Sequence, residues 1–202
     1  AGHVIEFKLT RGSWKTQAIV SEKEIPPENL VIKANQSCQK KVSIIDWLDQ
    51  LKIESDPIQG RLIVVDEIKG ISPARNISVW LPESYSDSSE PHSVIYMHDG
   101  QNLFEPGEAF AGVDWKVDET ISQLIFADQI KKVVVVGIPN SEFRMEELNL
   151  FTQRGVDYAK FVVENVKPFI DSSFNVLADS PDTFVMGSSM GGLMSFQMAI
   201  SR

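Results

Sequence analysis

The feature of this sequence most able to do chemistry is a serine flanked by glycines near the end of the chain. Residues 184–192 read FVMGSSMGG, a short apolar segment that runs into a Gly-x-Ser-x-Gly motif. Apolar residues continue after the motif and predict a helix over 190–200. A strand, a tight turn and a helix in this order would hold Ser189 on a strained corner, with its hydroxyl exposed.

The residues around Ser189 suit a nucleophile. Gly187 and Gly191 leave no side chains where the strand and the helix crowd together. The backbone N–H of Met190, at the helix N-terminus, would face the negative charge that develops on an attacked carbonyl. The alternative is a glycine-rich loop without chemistry, but the apolar residues on both sides favour the nucleophile.

A second polar segment, HDGQN at 98–102, follows the apolar run SVIYM at 93–97. In open α/β sheets ligands bind at the carboxyl ends of the strands. A glycine there permits a tight loop that points backbone amides into the crevice. We therefore expect Gln101 to supply a second oxyanion donor through its backbone N–H.

The composition excludes several function classes. The 202 residues carry a net charge of −9, which argues against nucleic acid or an anionic membrane as a partner. No apolar run approaches the roughly 20 residues that span a bilayer. Cys38 is the single cysteine, so no intrachain disulfide can form, and an incidental thiol is expected. No HExxH, paired CxxC or P-loop pattern occurs, so we expect no metal and no cofactor.

The patterning changes near residue 58, and we predict two domains, 1–57 and 58–202. The first reads as a partial β-sandwich with strands at 4–9, 14–20, 30–34 and 42–47. The second alternates strands with helices, which indicates an α/β fold with a largely parallel sheet. Its strands are expected at 61–68, 77–81, 93–97, 132–138 and 183–186. Its helices are expected at 117–126 and 155–170, and Pro168 should kink or end the latter.

Several motifs in order resemble the Putative esterase branch of the α/β-hydrolases, which includes relatives of esterase D, enterochelin esterases and feruloyl esterases. The motifs, all within about 60–202, are HDGQNLF at 98–104, VDET at 117–120, VGIPN at 136–140 with Arg144, VKPFID at 166–171 and GSSMGG at 187–192. The stretch EFKLTRGSW at 6–14, ending near 46–47, resembles part of an immunoglobulin-like or starch-binding-like module found before such esterases.

This resemblance implies an α/β-hydrolase fold and a serine esterase that uses Ser189 as the nucleophile, with an oxyanion hole formed by the amides of Met190 and Gln101. The family's acid and histidine would lie beyond residue 202. The chain is therefore expected to be a catalytically incomplete fragment. The alternatives are a non-catalytic carbohydrate-binding or scaffold protein with a degenerate hydrolase domain, and an acyltransferase.

The three histidines in the chain offer no obvious base. We expect His3 and His92 to be exposed and idle. His98 precedes the serine, which is the wrong order for this fold, and it is expected to shape its loop more than to act directly.

Other residues at this edge are candidates for contact with substrate: His98, Asp99, Trp115, Asn140 and Arg144. Asn140 and Arg144 either bind substrate or fix the loop that carries them. Trp115 either lines an acyl pocket or packs in the core, and core packing is slightly favoured.

The expected partner is a small-molecule or glycan-linked ester. Strand 183–186 should form a sheet edge, which invites self-association or cover by a missing C-terminal piece. No signal peptide is visible, but a mature secreted chain would also lack one, so the sequence leaves the compartment open; a periplasmic or secreted location is slightly favoured over a cytoplasmic one.

Overall fold

A computed structural model of the chain describes residues 3–21, 25, 27–34, 39–51, 56–87, 90–110 and 112–201. Cys38 lies outside these residues. The chain divides into two compact units, one formed by residues 1–56 and 105–115 and the other by residues 57–104 and 116–202. The division after residue 56 falls beside the predicted boundary, whereas no pattern in the sequence indicates that 105–115 joins the N-terminal unit. The assignment of that unit as part of an immunoglobulin-like sandwich stays a prediction.

The N-terminal unit contains short strands in antiparallel pairs: β1 (His3–Phe7), β2 (Ala18–Ile19), β3 (Leu30–Ala34) and β4 (Asp46–Trp47). Strand β1 pairs with β3, and β2 pairs with β4. The predicted strand 14–20 is wrong over its first half, which forms the 3-10 helix Trp14–Thr16. The Thr16 N–H donates to the Ser13 carbonyl, and the Thr16 hydroxyl accepts from the Arg11 N–H, so this segment bonds locally instead of in a ladder. A second 3-10 helix, Leu48–Gln50, follows β4, which is shorter than predicted.

The larger unit is built on a five-stranded mixed sheet, ordered β5-β6-β8-β7-β9. Its strands are β5 (Arg61–Ile68), β6 (Arg75–Leu81), β7 (Ser93–His98), β8 (Val133–Ile138) and β9 (Thr183–Met186). Strand β7 lies between β8 and β9 and is parallel to both, while β5 and β6 join the sheet antiparallel. The predicted α/β class is confirmed, and β9 forms an edge of the sheet, as expected.

The helices of this unit are α1 (Val117–Phe126), α2 (Arg144–Glu147), α3 (Gln153–Phe161), α4 (Lys167–Ser173) and α5 (Met190–Ile200). Helix α1 matches its prediction. The single helix predicted over 155–170 is instead α3 and α4 joined by the π-helical segment Val162–Val166. Pro168 neither ends nor interrupts the helical run, because it lies in the first turn of α4, where a missing N–H costs little.

The central strands are covered on both faces. Val134 and Val136 of β8 belong to a buried cluster with Tyr158 and Phe161 of α3, whereas Val133 and Val135 belong to a second cluster that includes residues of α1. All six residues of β8 are buried. The near-continuous apolar run of this strand follows from that double cover. Of the helices in the described part of the chain, none has the length and apolar character to cross a membrane.

Candidate active site

Ser189 occupies the corner between β9 and α5. Its backbone has φ 54° and ψ −115°, and its side chain is exposed. A positive φ in a residue other than glycine is uncommon and costs free energy, which marks a corner that the surrounding structure enforces. The predicted strand-to-helix placement of Ser189 with a strained backbone is therefore confirmed.

Gly187 is required at this corner because strand and helix touch there. A Cβ on Gly187 would lie 2.6 Å from the carbonyl carbon of Gly191 and 2.8 Å from its Cα. Backbone atoms cannot yield to such a contact. Gly187 therefore allows the first turn of α5 to pack closely against the end of β9. This packing leaves Ser189 exposed at the corner.

The register of the sheet brings the three polar loops to one edge. Met97 of β7 pairs with Met186 of β9 on one side and with Gly137 of β8 on the other. The chain thus leaves all three strands at the same level. Gln101 follows Met97 by four residues, and Met190 follows Met186 by four.

The loop after β7 is tightly wound and lies against β8. It forms a 3-10 turn, Gly100–Asn102. A Cβ on Gly100 would lie 2.5 Å from the backbone of Gly137 and Ile138, so only glycine permits this approach. The Gln101 side chain accepts a hydrogen bond from the Asn140 N–H at 3.1 Å, which ties the turn to the loop that follows β8.

Asp99 is the electrostatic centre of this edge. It is buried, with φ 60°, and its carboxylate accepts from Arg144 Nε and Nη2, each at 2.7 Å. Asn140 Nδ2 donates to the same carboxylate at 2.6 Å. The bond to Asp99 raises the pKa of Arg144. The predicted candidates Asp99, Asn140 and Arg144 thus lie together, in one hydrogen-bonded cluster.

His98 is buried beside this cluster, with its side chain inaccessible to solvent. Its Nδ1 lies 2.8 Å from the Tyr158 hydroxyl, and Nε2 has no hydrogen-bond partner in the part of the chain that the structure describes. Burial lowers the pKa of His98 to about 4, so the imidazole is neutral at physiological pH.

Helix α5 rests directly on His98 and Asp99. A Cβ on Gly191 would lie 3.2 Å from His98 Cβ and 3.4 Å from Asp99 Oδ2. The carboxylate of Asp99 therefore lies close to the N-terminal turn of α5, where negative charge is favourable.

A buried ion pair between Arg75 and Glu147 stabilises the loop after β8. This pair was not predicted from the sequence. Arg75 of β6 binds Glu147 of α2, and Arg75 Nη1 donates to the Pro139 carbonyl at 2.9 Å. Ser141 also donates to the Glu147 carboxylate, through its hydroxyl at 2.7 Å and its backbone N–H at 3.4 Å. The partners Arg75 and Glu147 are 72 residues apart in the sequence, so no local pattern points to the pair.

The remaining candidates differ from expectation. His92 is buried, and its ring packs against that of Tyr85 at a tilt of 44° with ring centroids 5.2 Å apart, so its prediction as an exposed residue is wrong. Trp115 belongs to the N-terminal unit and is 37% exposed, which contradicts core packing. Within the described residues no histidine is hydrogen-bonded to Ser189, and none of the clusters of acidic, histidine and cysteine side chains there is suited to hold a metal ion.

Comparison with known proteins points to esterases. A model of the family described as "Putative esterase" matches residues 69–202. A curated relative, "Uncharacterized protein YbbA" of Bacillus subtilis strain 168, is 25% identical over 133 residues, which are 60% of this chain and 49% of the relative. The chain thus spans about half the length of that protein.

Solved structures of esterases share the fold. An IroE-like serine hydrolase from Shewanella oneidensis is 23% identical, with a TM-score of 0.51 over 68% of this chain and 45% of that one. The ferulic acid esterase of Anaeromyces mucronatus is 17% identical, with a TM-score of 0.53 over 76% of this chain and 57% of that one. The enterobactin esterase of Shigella flexneri is 14% identical, with a TM-score of 0.53 over 88% of this chain and 40% of that one. These matches confirm the predicted α/β-hydrolase fold.

Proposed function

This chain belongs to the Putative esterase family, and we propose that the protein hydrolyses a carboxylic ester through an acyl-enzyme intermediate on Ser189. The observation that carries the proposal is the corner at Ser189. An exposed serine with φ 54°, between a parallel strand and the N-terminus of a helix, has the geometry of a nucleophile elbow.

In the first step the Ser189 Oγ attacks the carbonyl carbon of the ester, and its proton passes to a general base. The carbonyl oxygen becomes an oxyanion, which accepts hydrogen bonds from the backbone N–H groups of Met190 and Gln101. Met190 is the first residue of α5, where the helix dipole adds to the stabilisation. Collapse of the intermediate releases the alcohol, which takes up a proton, and leaves an ester on Ser189.

In the second step a water molecule attacks the acyl group and restores Ser189 as the acid product leaves. The same oxyanion donors serve both steps, because each passes through a tetrahedral intermediate. If an alcohol replaced this water, the protein would be an acyltransferase.

We assign the general base to none of the described histidines. His98 is neutral, which suits a base, but it is buried and its Nδ1 is engaged by Tyr158. We therefore assign His98 a supporting role beneath α5 rather than contact with substrate. The acid and histidine expected beyond residue 202 stay a prediction.

One observation favours a second candidate, a non-catalytic scaffold or carbohydrate-binding protein. Within the described residues no histidine is hydrogen-bonded to Ser189, and a serine without a base is a weak nucleophile. The two candidates differ in whether Ser189 turns over an ester.

Turnover of p-nitrophenyl acetate by the protein as the cell makes it separates the candidates. Ser189→Ala should lower the rate at least about 10³-fold, because the nucleophile and its partners act as a unit. Ser188→Ala is the matched control, since Ser188 is also exposed and precedes the corner by one residue; it should retain most activity. Equal rates for the wild type and Ser189→Ala would favour the scaffold.

The names of the similar structures suggest which esters to test next. Two of them are a ferulic acid esterase and an enterobactin esterase. Substrate specificity does not follow from a shared fold, so a panel should set methyl ferulate beside short aliphatic esters.

A further inference from the structure

Arg144 lies at the catalytic edge, where it could either bind substrate or hold a loop. Its guanidinium is 31% exposed, whereas the carboxylate that it binds, on Asp99, is 1% exposed. Two of its nitrogens, Nε and Nη2, donate to the two oxygens of that carboxylate at 2.7 Å. This bidentate pairing is the strongest arrangement available to an arginine and a carboxylate.

Release of Arg144 towards a substrate would be costly. A buried carboxylate that loses its cation keeps its desolvation penalty without the compensating attraction. Asp99 would then retain the Asn140 amide as its side-chain partner among the contacts described here. Arg144 is therefore best suited to remain on Asp99 throughout the reaction.

Asp99 determines how the chain enters the oxyanion turn. It precedes the Gly100–Asn102 turn directly, its φ is 60°, and its carbonyl accepts the Asn102 N–H at 2.9 Å. A left-handed residue at this point sets the direction of the next peptide groups. The peptide N–H of Gln101 belongs to the second residue after Asp99.

Asn140 holds the same turn through two hydrogen bonds. Its side chain donates to Asp99 at 2.6 Å, and its backbone N–H donates to the Gln101 side chain at 3.1 Å. Gln101 is therefore held at its backbone through Asp99 and at its side chain through Asn140. Through these hydrogen bonds the loop after β8 holds the loop after β7 in place.

We infer that Arg144 is a positioning residue: through Asp99 it fixes the turn that presents the Gln101 N–H to the oxyanion, and it does not bind substrate. Because Asp99 also lies under the first turn of α5, at Gly191, one carboxylate sets the relative placement of both oxyanion donors. The inference rests on the proposed esterase function.

Kinetics of Arg144→Gln and Arg144→Lys test this role in the protein as the cell makes it. A displaced donor weakens binding of the transition state more than of the substrate. Arg144→Gln should lower kcat by about 10- to 100-fold while KM changes less than about 3-fold. Arg144→Lys keeps the charge but loses the bidentate geometry, so it should recover part of kcat.

Substrate charge distinguishes positioning from binding. The fall in kcat should be equal for neutral p-nitrophenyl butyrate and for mono-p-nitrophenyl succinate, whose acyl group carries a carboxylate. A rise in KM for the anionic ester alone would overturn the inference, because it would place Arg144 against the substrate. Arg154→Gln is the control: Arg154 pairs with Glu146 at 3.1 Å on a more exposed part of the same region, and its loss should leave kcat and KM unchanged.

Hydrogen exchange gives a readout that does not need turnover. In Arg144→Gln the amides of Asn102 and Asn140, which are hydrogen-bonded to Asp99 and to the Gln101 side chain, should exchange at least about 10-fold faster than in the wild type, with the α1 amides unchanged. Unchanged exchange at the turn would overturn the inference even if activity fell. If the wild type itself showed no Ser189-dependent turnover, the proposed function would fail, and exchange alone would decide whether Arg144 holds the turn.

Discussion

The two sides of β9 differ sharply in chemistry. On the side of β7, charged groups are buried and bonded to one another, with Asp99 held by Arg144 at the centre. On the opposite side the sheet ends, and Phe184 and Met186 remain 48% and 54% exposed. The comparison indicates that Ser189 is positioned almost entirely from the β7 side, by backbone contact and buried polar bonds, while the outer side contributes little packing.

The surface next to the outer side of β9 is also apolar. Helix α5 exposes Leu193, Phe196 and Ile200, and a groove of about 460 Å³ runs between this helix, β9 and the π-helical segment. Exposed edge strands with apolar flanks favour association. The self-association or cover predicted for this edge from the sequence stays a prediction.

The largest expected effect is at Gly100, where the turn after β7 lies against the backbone of β8. We expect Gly100→Ala to lower the free energy of unfolding by about 3 kcal/mol or more, because the new Cβ would meet the backbone of β8 at 2.5 Å. Gly107→Ala is the control, since nothing lies within 4 Å of its Cβ position. Urea unfolding measures both. Equal stability of the two variants would show that the β7 side is looser than described.

A second pair of truncations compares packing directly. Val136→Ala should cost about 2 kcal/mol, because Val136 is fully buried in the central strand. Phe184→Ala removes a larger side chain from the exposed edge and should cost less than about 1 kcal/mol. A greater loss for Phe184→Ala, again from urea unfolding, would mean that the outer side of β9 is packed in solution.

Asp99 and Asp118 are both buried carboxylates, but they differ in the partners that compensate their charge. Unlike Asp99, Asp118 has no cation partner in the described contacts. One oxygen accepts the Gln59 N–H at 2.8 Å, and the other has no hydrogen-bond partner among the described residues. Burial raises the pKa of Asp118 to about 6. The neutral form is therefore favoured in the folded state, and stability is lost as pH rises from about 4 to about 6.

Asp118→Asn stays neutral at every pH and should escape that loss. Its advantage over the wild type should be near zero at pH 4 and should grow to roughly 2–3 kcal/mol by pH 7. Thermal or urea unfolding across this range measures the difference. An advantage that does not change with pH would mean that Asp118 is ionised in the folded state at an ordinary pKa.

Much of the larger unit could be predicted because its signals are local. The β-branched run at 133–138 and the period of α1 follow directly from residue types, and the motif around Ser189 encodes its own turn. The N-terminal unit lacks such signals. Strands β2 and β4 have two residues each, so their pairing depends on tertiary contacts that no short window contains.

In the candidate site, too, only the residues with local sequence signals could be predicted. Ser189, Gln101, Asp99, Asn140 and Arg144 follow strands and could be placed at one edge from the sequence. Their supports could not, since Tyr158 reaches His98 across 60 residues and Arg75 reaches Glu147 across 72. The prediction of an exposed His92 was wrong because the preceding Ser-Glu-Pro sequence indicates a surface loop, whereas the imidazole packs against the Tyr85 ring.

The most direct test of the account is covalent labelling of the nucleophile. A fluorophosphonate reacts with a serine that is activated and faces an oxyanion hole, and peptide mass spectrometry identifies the labelled residue. The account predicts a single adduct on Ser189, lost in Ser189→Ala, retained in Ser188→Ala and formed more slowly in Arg144→Gln. Absence of any adduct on the wild-type protein as the cell makes it, or an adduct on a different serine, would contradict the assignment of Ser189 as the nucleophile.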